Sequence, residues 1–170
     1  MNMECLTSCK NWMRSLKLDK NLKRKIEIEI TNIDKLLETA KDTFSYCRKN
    51  ESFDFEKTSA TALAFHSFYN GVENILITIT KCFNESLPTG NDWHMELFNR
   101  AFIVNEKYGK IFDEDIKPKL KEYLTFRHFL RHTYGFLLDP IKLKPLLTNI
   151  DNVWAAVKHN LIQFVGRFYQ

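Results

Sequence analysis

Between residues 19 and 47, Leu22, Ile26, Ile30, Ile33, Leu37, Ala40 and Phe44 recur at intervals of three and four. That spacing returns apolar side chains to one face of a helix, whereas a half-buried strand would alternate them. The pattern is repeated twice. Ala62, Phe65, Phe68, Val72, Ile75, Ile79 and Phe83 mark a second helix, from Phe55 or Ser59 to Asn84. Leu146, Ile150, Val153, Val157, Leu161, Phe164 and Phe168 mark a last one, which Pro145 can open. With only five glycines and four prolines in 170 residues, little can interrupt such runs. The expected fold is all-α, an up-and-down bundle of about five helices, four packed and one shorter.

The remaining helices are read from their boundaries. Arg48-Lys49-Asn50-Glu51-Ser52 ends the first, with basic residues suited to a helix C-terminus. Ser86-Leu87-Pro88-Thr89-Gly90 is the clearest loop, after which Asn91 or Asp92 caps a third helix. That helix carries Trp93, Leu97, Phe98 and Phe102 and fades near Lys107-Tyr108-Gly109-Lys110. Pro118 suits the first turn of a fourth helix, over residues 118–136, and Asp139-Pro140 breaks the chain after it. Gly71 in mid-helix costs up to about 1 kcal/mol against alanine, which points to a close helix–helix approach. Glu73, just past it among apolar neighbours, is either a surface carboxylate or the partner of a cation in a pocket.

Residues 19–170 read as one domain, preceded by a basic extension, residues 1–18. From Lys10 to Lys25 seven basic residues face Asp19 alone, which suits a solvated helix start or a contact with nucleic-acid phosphates. The net charge of +4 permits an anionic partner without demanding one. Cys5, Cys9, Cys47 and Cys82 lack zinc spacing and are expected as free thiols in a reducing cytosol. No apolar run approaches the roughly 18 residues of a membrane span, and residues 1–18 lack the apolar segment of a signal peptide. A cytoplasmic protein without membrane contact is expected.

The chemistry concentrates in Phe126-Arg127-His128-Phe129-Leu130-Arg131-His132-Thr133-Tyr134. Wound as a helix with Arg127 at zero, Tyr134, Arg131, His128 and His132 fall between about −20° and 140°. Phe126, Phe129, Leu130, Thr133, Phe136 and Leu137 fill the arc from about 180° to 300°. One helix would thus bury an apolar face and present cations and imidazoles on the other. Imidazole moves protons near neutral pH, and guanidinium grips phosphate through paired hydrogen bonds. Together they can cleave RNA without a metal: a 2′-hydroxyl loses a proton and attacks its phosphate, and the leaving 5′-oxygen gains one. Arg127 and His132 could supply the two groups. They lie about 140° apart on an ideal helix, so a bend, the arginine's length or a second protomer must bring them together. His128 and His132, at i and i+4, could instead ligate a metal, but that face has no carboxylate and Arg127 and Arg131 would repel a dication. Packing histidines are a further possibility.

Arg127, four residues, then His132-Thr133-Tyr134 resembles the R-x4-H-x-Y motif of HepT-type toxins in the HEPN group (higher eukaryotes and prokaryotes nucleotide-binding). The stretch from His66 to Glu73, Leu87-Pro88-Thr89-Gly90, Trp93-His94 and Tyr134-Gly135-Phe136 are similar to HepT-like families as well. The likeness covers about residues 20–168. It implies a metal-independent endoribonuclease of a toxin–antitoxin pair, working as a homodimer whose two motifs face one RNA cleft. Carried over, Arg127 and His132 are catalytic. His128 joins them at the polar position where many members carry Asn or Asp, its role open. Arg131 and Arg127 hold RNA. Tyr134 matches the tyrosine to which a minimal nucleotidyltransferase antitoxin transfers AMP. No cofactor is implied. The alternative is a non-catalytic helical module that binds nucleotide or protein.

Overall fold

The computed structural model describes residues 3–168, and the side chains of residues 21–135 and 137–168. Five α-helices run in order: α1 Met3–Lys49, α2 Phe55–Cys82, α3 Trp93–Arg100, α4 Lys117–Arg131 and α5 Pro140–Gly166. Short 3-10 turns, Glu114–Ile116 and Gly135–Leu137, precede and follow α4. Among the described residues there is no strand, and the loop after α3 closes through one isolated bridge, Asn105 with Gly109. The fold is an all-α helical bundle. The side chains of the basic extension, residues 1–18, lie outside those described.

Helix α2 is the hub, packing on α1, α3, α4 and α5. Phe65, Phe68, Tyr69, Val72, Ile75, Leu76 and Ile79 are almost wholly buried along it. They surround more of the helix than one stripe would, as a central helix requires. Edge-on rings carry the core outward, from Phe65 and Phe68 to Tyr123 of α4 and from Phe68 to Trp154 of α5. The Tyr123 hydroxyl then donates to the Leu146 carbonyl at 2.7 Å, joining α4 to α5. The close approach expected at Gly71 is present. A Cβ there would stand 2.8 Å from Cδ1 and Cγ1 of Ile33, so glycine lets α1 and α2 touch.

The boundaries of α5 and α4 differ from those expected. Helix α5 begins at Pro140 and not at Pro145, because Asp139 caps it by accepting from the Ile141 N–H at 2.9 Å. Pro140 occupies the first turn, where its missing N–H has no helical acceptor, and Pro145 sits inside. Helix α4 ends at Arg131 and not at residue 136. With α5 starting at Pro140, the intervening residues must reverse the chain, and Tyr134 is already extended (φ −73°, ψ 140°). His132 is therefore a C-cap residue (φ −115°, ψ 7°) and Tyr134 lies beyond the helix. Helix α3 also stops early, at Arg100, and Asp92 precedes it without a side-chain cap.

Candidate functional site

Helix α4 buries Leu120, Tyr123, Leu124 and Arg127. With Arg127 at zero these lie between about −40° and 60°, so the arginine sits mid-stripe on the buried face. The arc expected to be interior is only partly so. Phe126 and Leu130 are half-buried, while Phe129 and Leu137 are exposed. The rotation follows from the partner helix: α2 offers polar groups where Arg127 meets it.

His66, Asn70 and Glu73 stand at i, i+4 and i+7 on α2 and so share one face. Arg127 is only 9% exposed. Its Nε donates to Asn70 Oδ1, and its Nη2 meets Glu73 Oε2 at 2.7 Å. The other Glu73 oxygen lies 2.6 Å from Nδ1 of His94, on the first turn of α3. A carboxylate only accepts, so Nδ1 carries a proton, and in the neutral ring the lone pair is on Nε2. Arg131 Nη1 points to that Nε2 at 3.3 Å. The 3.3 Å approach of Arg127 Nη1 to Nδ1 is then a contact between two donors and not a hydrogen bond. Trp93 packs against the His94 ring, with centroids 3.5 Å apart and planes tilted by 33°. Glu73 is thus the cation partner, not a surface carboxylate.

His66 borders this cluster. Its Nδ1 is buried without a hydrogen-bond partner. Burial, with the Arg127 and Arg131 charges, pushes its pKa below the ordinary histidine value, against the opposing pull of Glu73. Burial likewise raises the Tyr69 hydroxyl far above the usual phenol range, with Glu73 adding to it. The interior side of the site therefore favours neutral groups around one compensated arginine–glutamate pair.

The exposed side is built differently. His128, Arg131, His132 and Tyr134 all face solvent, and Tyr134 is 73% exposed. The His128 and His132 rings lie 4.9 Å apart, as i, i+4 neighbours do. Positive groups in the last turn of α4 also offset the negative end of its dipole. Among the described residues, no hydrogen bond or ion pair joins Arg127 to His132, and none forms a metal-binding group of three or more His, Cys, Asp and Glu. The structure therefore brings Arg127 and Arg131 together around His94, pairs His128 with His132, and leaves these two sets linked only through α4.

Sequence reasoning assigned no role to Asn70 or His94. The i, i+4, i+7 spacing of His66, Asn70 and Glu73 was the available signal; His94 stood out only through the likeness of Trp93-His94 to HepT-like families. A cleft of about 600 Å³ lies on the far side of α4, lined by Phe126, Phe129, Leu137, Leu143 and Leu146 among others, and touches neither Arg127 nor His132. No helix among the described residues is long and apolar enough to cross a membrane.

Residues 60–168 match a family model described as HepT-like protein. No curated protein and no solved structure matches the chain.

Proposed function

The chain belongs to the HepT-like protein family, and on that premise we propose that it is a metal-independent endoribonuclease toxin of the cytoplasm. The observation that carries the reading is the exposed end of α4, where Arg131, His128 and His132 all face solvent on the helix that carries the arginine of the R-x4-H motif. In this reading Arg131 draws in the RNA phosphate and His132 moves a proton on the scissile group. Arg127, paired with Glu73 and with its Nη1 3.3 Å from His94, is in this reading the motif arginine behind the phosphorane. His128, one α4 turn before His132, supports that imidazole or shares its work.

Two partners accompany this proposal. One is a second copy of the chain. Exposed Phe129, Leu137 and Ile141 beside the apolar cleft supply the kind of surface a homodimer buries. The other is a minimal nucleotidyltransferase antitoxin that transfers AMP to Tyr134. The exposure of that hydroxyl-bearing ring suits modification, and an added phosphate near Arg131 would compete with RNA for the same cation.

The test is purified protein incubated with RNA in EDTA. Wild type should cleave, and His132→Ala should abolish cleavage without changing the melting temperature. Intact mass after co-expression with a nucleotidyltransferase should rise by AMP increments, which Tyr134→Phe should remove. A second reading, a non-catalytic module, draws on one observation: the Arg127 guanidinium is committed to Glu73 and Asn70 inside the bundle. Cleavage in EDTA excludes that reading; the lack of any cleavage at high protein concentration supports it.

A further inference from the structure

Transphosphorylation of RNA needs one group to take the 2′-hydroxyl proton and another to protonate the 5′-oxygen. Within one chain the motif names a single histidine, His132. We propose that His94 is the second proton-transfer group, a catalytic base oriented by Glu73. This inference rests on the ribonuclease reading.

Three features of the geometry support it. Glu73 accepts from Nδ1 at 2.6 Å and so fixes the tautomer with Nε2 as the base. That carboxylate is itself immobilised, its second oxygen on Arg127 at 2.7 Å. The His94 side chain retains 16% exposure while Glu73 has only 5%, so the imidazole can reach a ligand that its carboxylate cannot. A base held from behind by a buried carboxylate is the arrangement that proton abstraction requires.

The remaining partner explains how the base is uncovered. In the structure, Nε2 accepts from the exposed Arg131 at 3.3 Å. An RNA phosphate binds a guanidinium more strongly than a neutral imidazole does. When Arg131 turns to the phosphate, Nε2 loses its donor and is free for the neighbouring 2′-hydroxyl. The proton of that hydroxyl moves to His94 Nε2, and a bond forms between the 2′-oxygen and phosphorus. The bond from phosphorus to the 5′-oxygen breaks, and that oxygen takes a proton from His132. The products are a 2′,3′-cyclic phosphate and a 5′-hydroxyl, with His94 protonated and His132 not, so the count of protons is unchanged. Arg127 then serves as a positioning residue for the Glu73–His94 pair as well as a source of positive charge. The charged groups that meet His94 are Glu73 on α2 and Arg127 and Arg131 on α4, and the titratable His66 and Tyr69 of α2 in turn act on and feel Glu73 and Arg127.

The decisive measurement is the pH profile of kcat/KM on a labelled single-stranded RNA in EDTA. Wild type should give a bell. His94→Gln removes the base and should lower kcat/KM by about 100-fold or more, removing the acidic limb and leaving the alkaline one. If that variant cleaves at the wild-type rate with both limbs, the inference fails and the ribonuclease reading stands. If wild type cleaves nothing, both fall. Should His94→Gln not fold, nitrogen-15 spectra of wild-type histidines replace it. Adding a non-cleavable 2′-deoxy oligonucleotide should shift the His94 Nε2 resonance as Arg131 leaves, and an unmoved resonance overturns the proposal.

Discussion

Arg127 and His132 are five positions apart yet occupy opposite kinds of surroundings. Arg127 lies in the buried stripe of α4, with Asn70 and Glu73 on its guanidinium. His132 is the exposed C-cap of the same helix, outside the regular hydrogen-bond ladder. A motif that reads as one functional unit is therefore physically two. One half is inseparable from the packing of α2 against α4, and the other can change without the bundle noticing. Loss of activity means different things in the two halves.

The strongest separation is expected at the buried pair. Glu73→Ala leaves Arg127 charged, interior and without its carboxylate, and should cost about 3–5 kcal/mol. Calorimetry should show a fall on the order of 10 °C in melting temperature. Arg127→Ala should cost a comparable amount, since it strands Glu73 with His94 alone, so its inactivity in any assay must be read beside a melting curve. If either variant melts like wild type, the contrast between the halves disappears. Asn70→Ala removes only the acceptor of the Arg127 Nε–H and should cost about 1–3 kcal/mol in urea unfolding.

A smaller effect is expected from pH. His66 has its pKa lowered by burial and by the two arginines, so the folded state prefers it neutral. Its contribution is complete above the ordinary histidine value and declines as the pH falls below it, because the unfolded chain then binds the proton more readily. Melting temperatures measured from about pH 7.5 down to about pH 5.5 should fall for wild type and fall less for His66→Gln. Smallest of all is His132→Ala, which should lie within about 0.5 kcal/mol of wild type. A large loss there would show that the exposed half is also structural.

Much of the bundle could be read from the chain. The stripes of α1, α2 and α5 are buried or partly buried at every expected position, since long amphipathic helices leave few alternatives. Helix α4 was read from the wrong end. Its C-terminal apolar residues Phe126, Phe129 and Leu130 equal in number the interior residues Leu120, Tyr123 and Leu124, and no one-dimensional pattern says that an arginine will continue the buried stripe. Only the carboxylate and amide on α2 make that possible. The early stop of α4 was hidden too, because nothing from Arg131 to Tyr134 is a strong breaker, and the decisive signal, Asp139-Pro140, belongs to the next helix. The motif Arg127 to His132 stood out in the chain; its division into a buried arginine and an exposed histidine, and the insertion of His94 between the arginines, did not.

The contact between Gly71 and Ile33 has a consequence for how such chains diverge. A methyl group at position 71 collides with an isoleucine at position 33, so position 71 does not gain a side chain while Ile33 stays. Lineages that acquire alanine at 71 should carry alanine at 33, where both clashing carbons of Ile33 are absent, and that paired substitution would mark the crossing point of the two helices in an alignment before any coordinates were known.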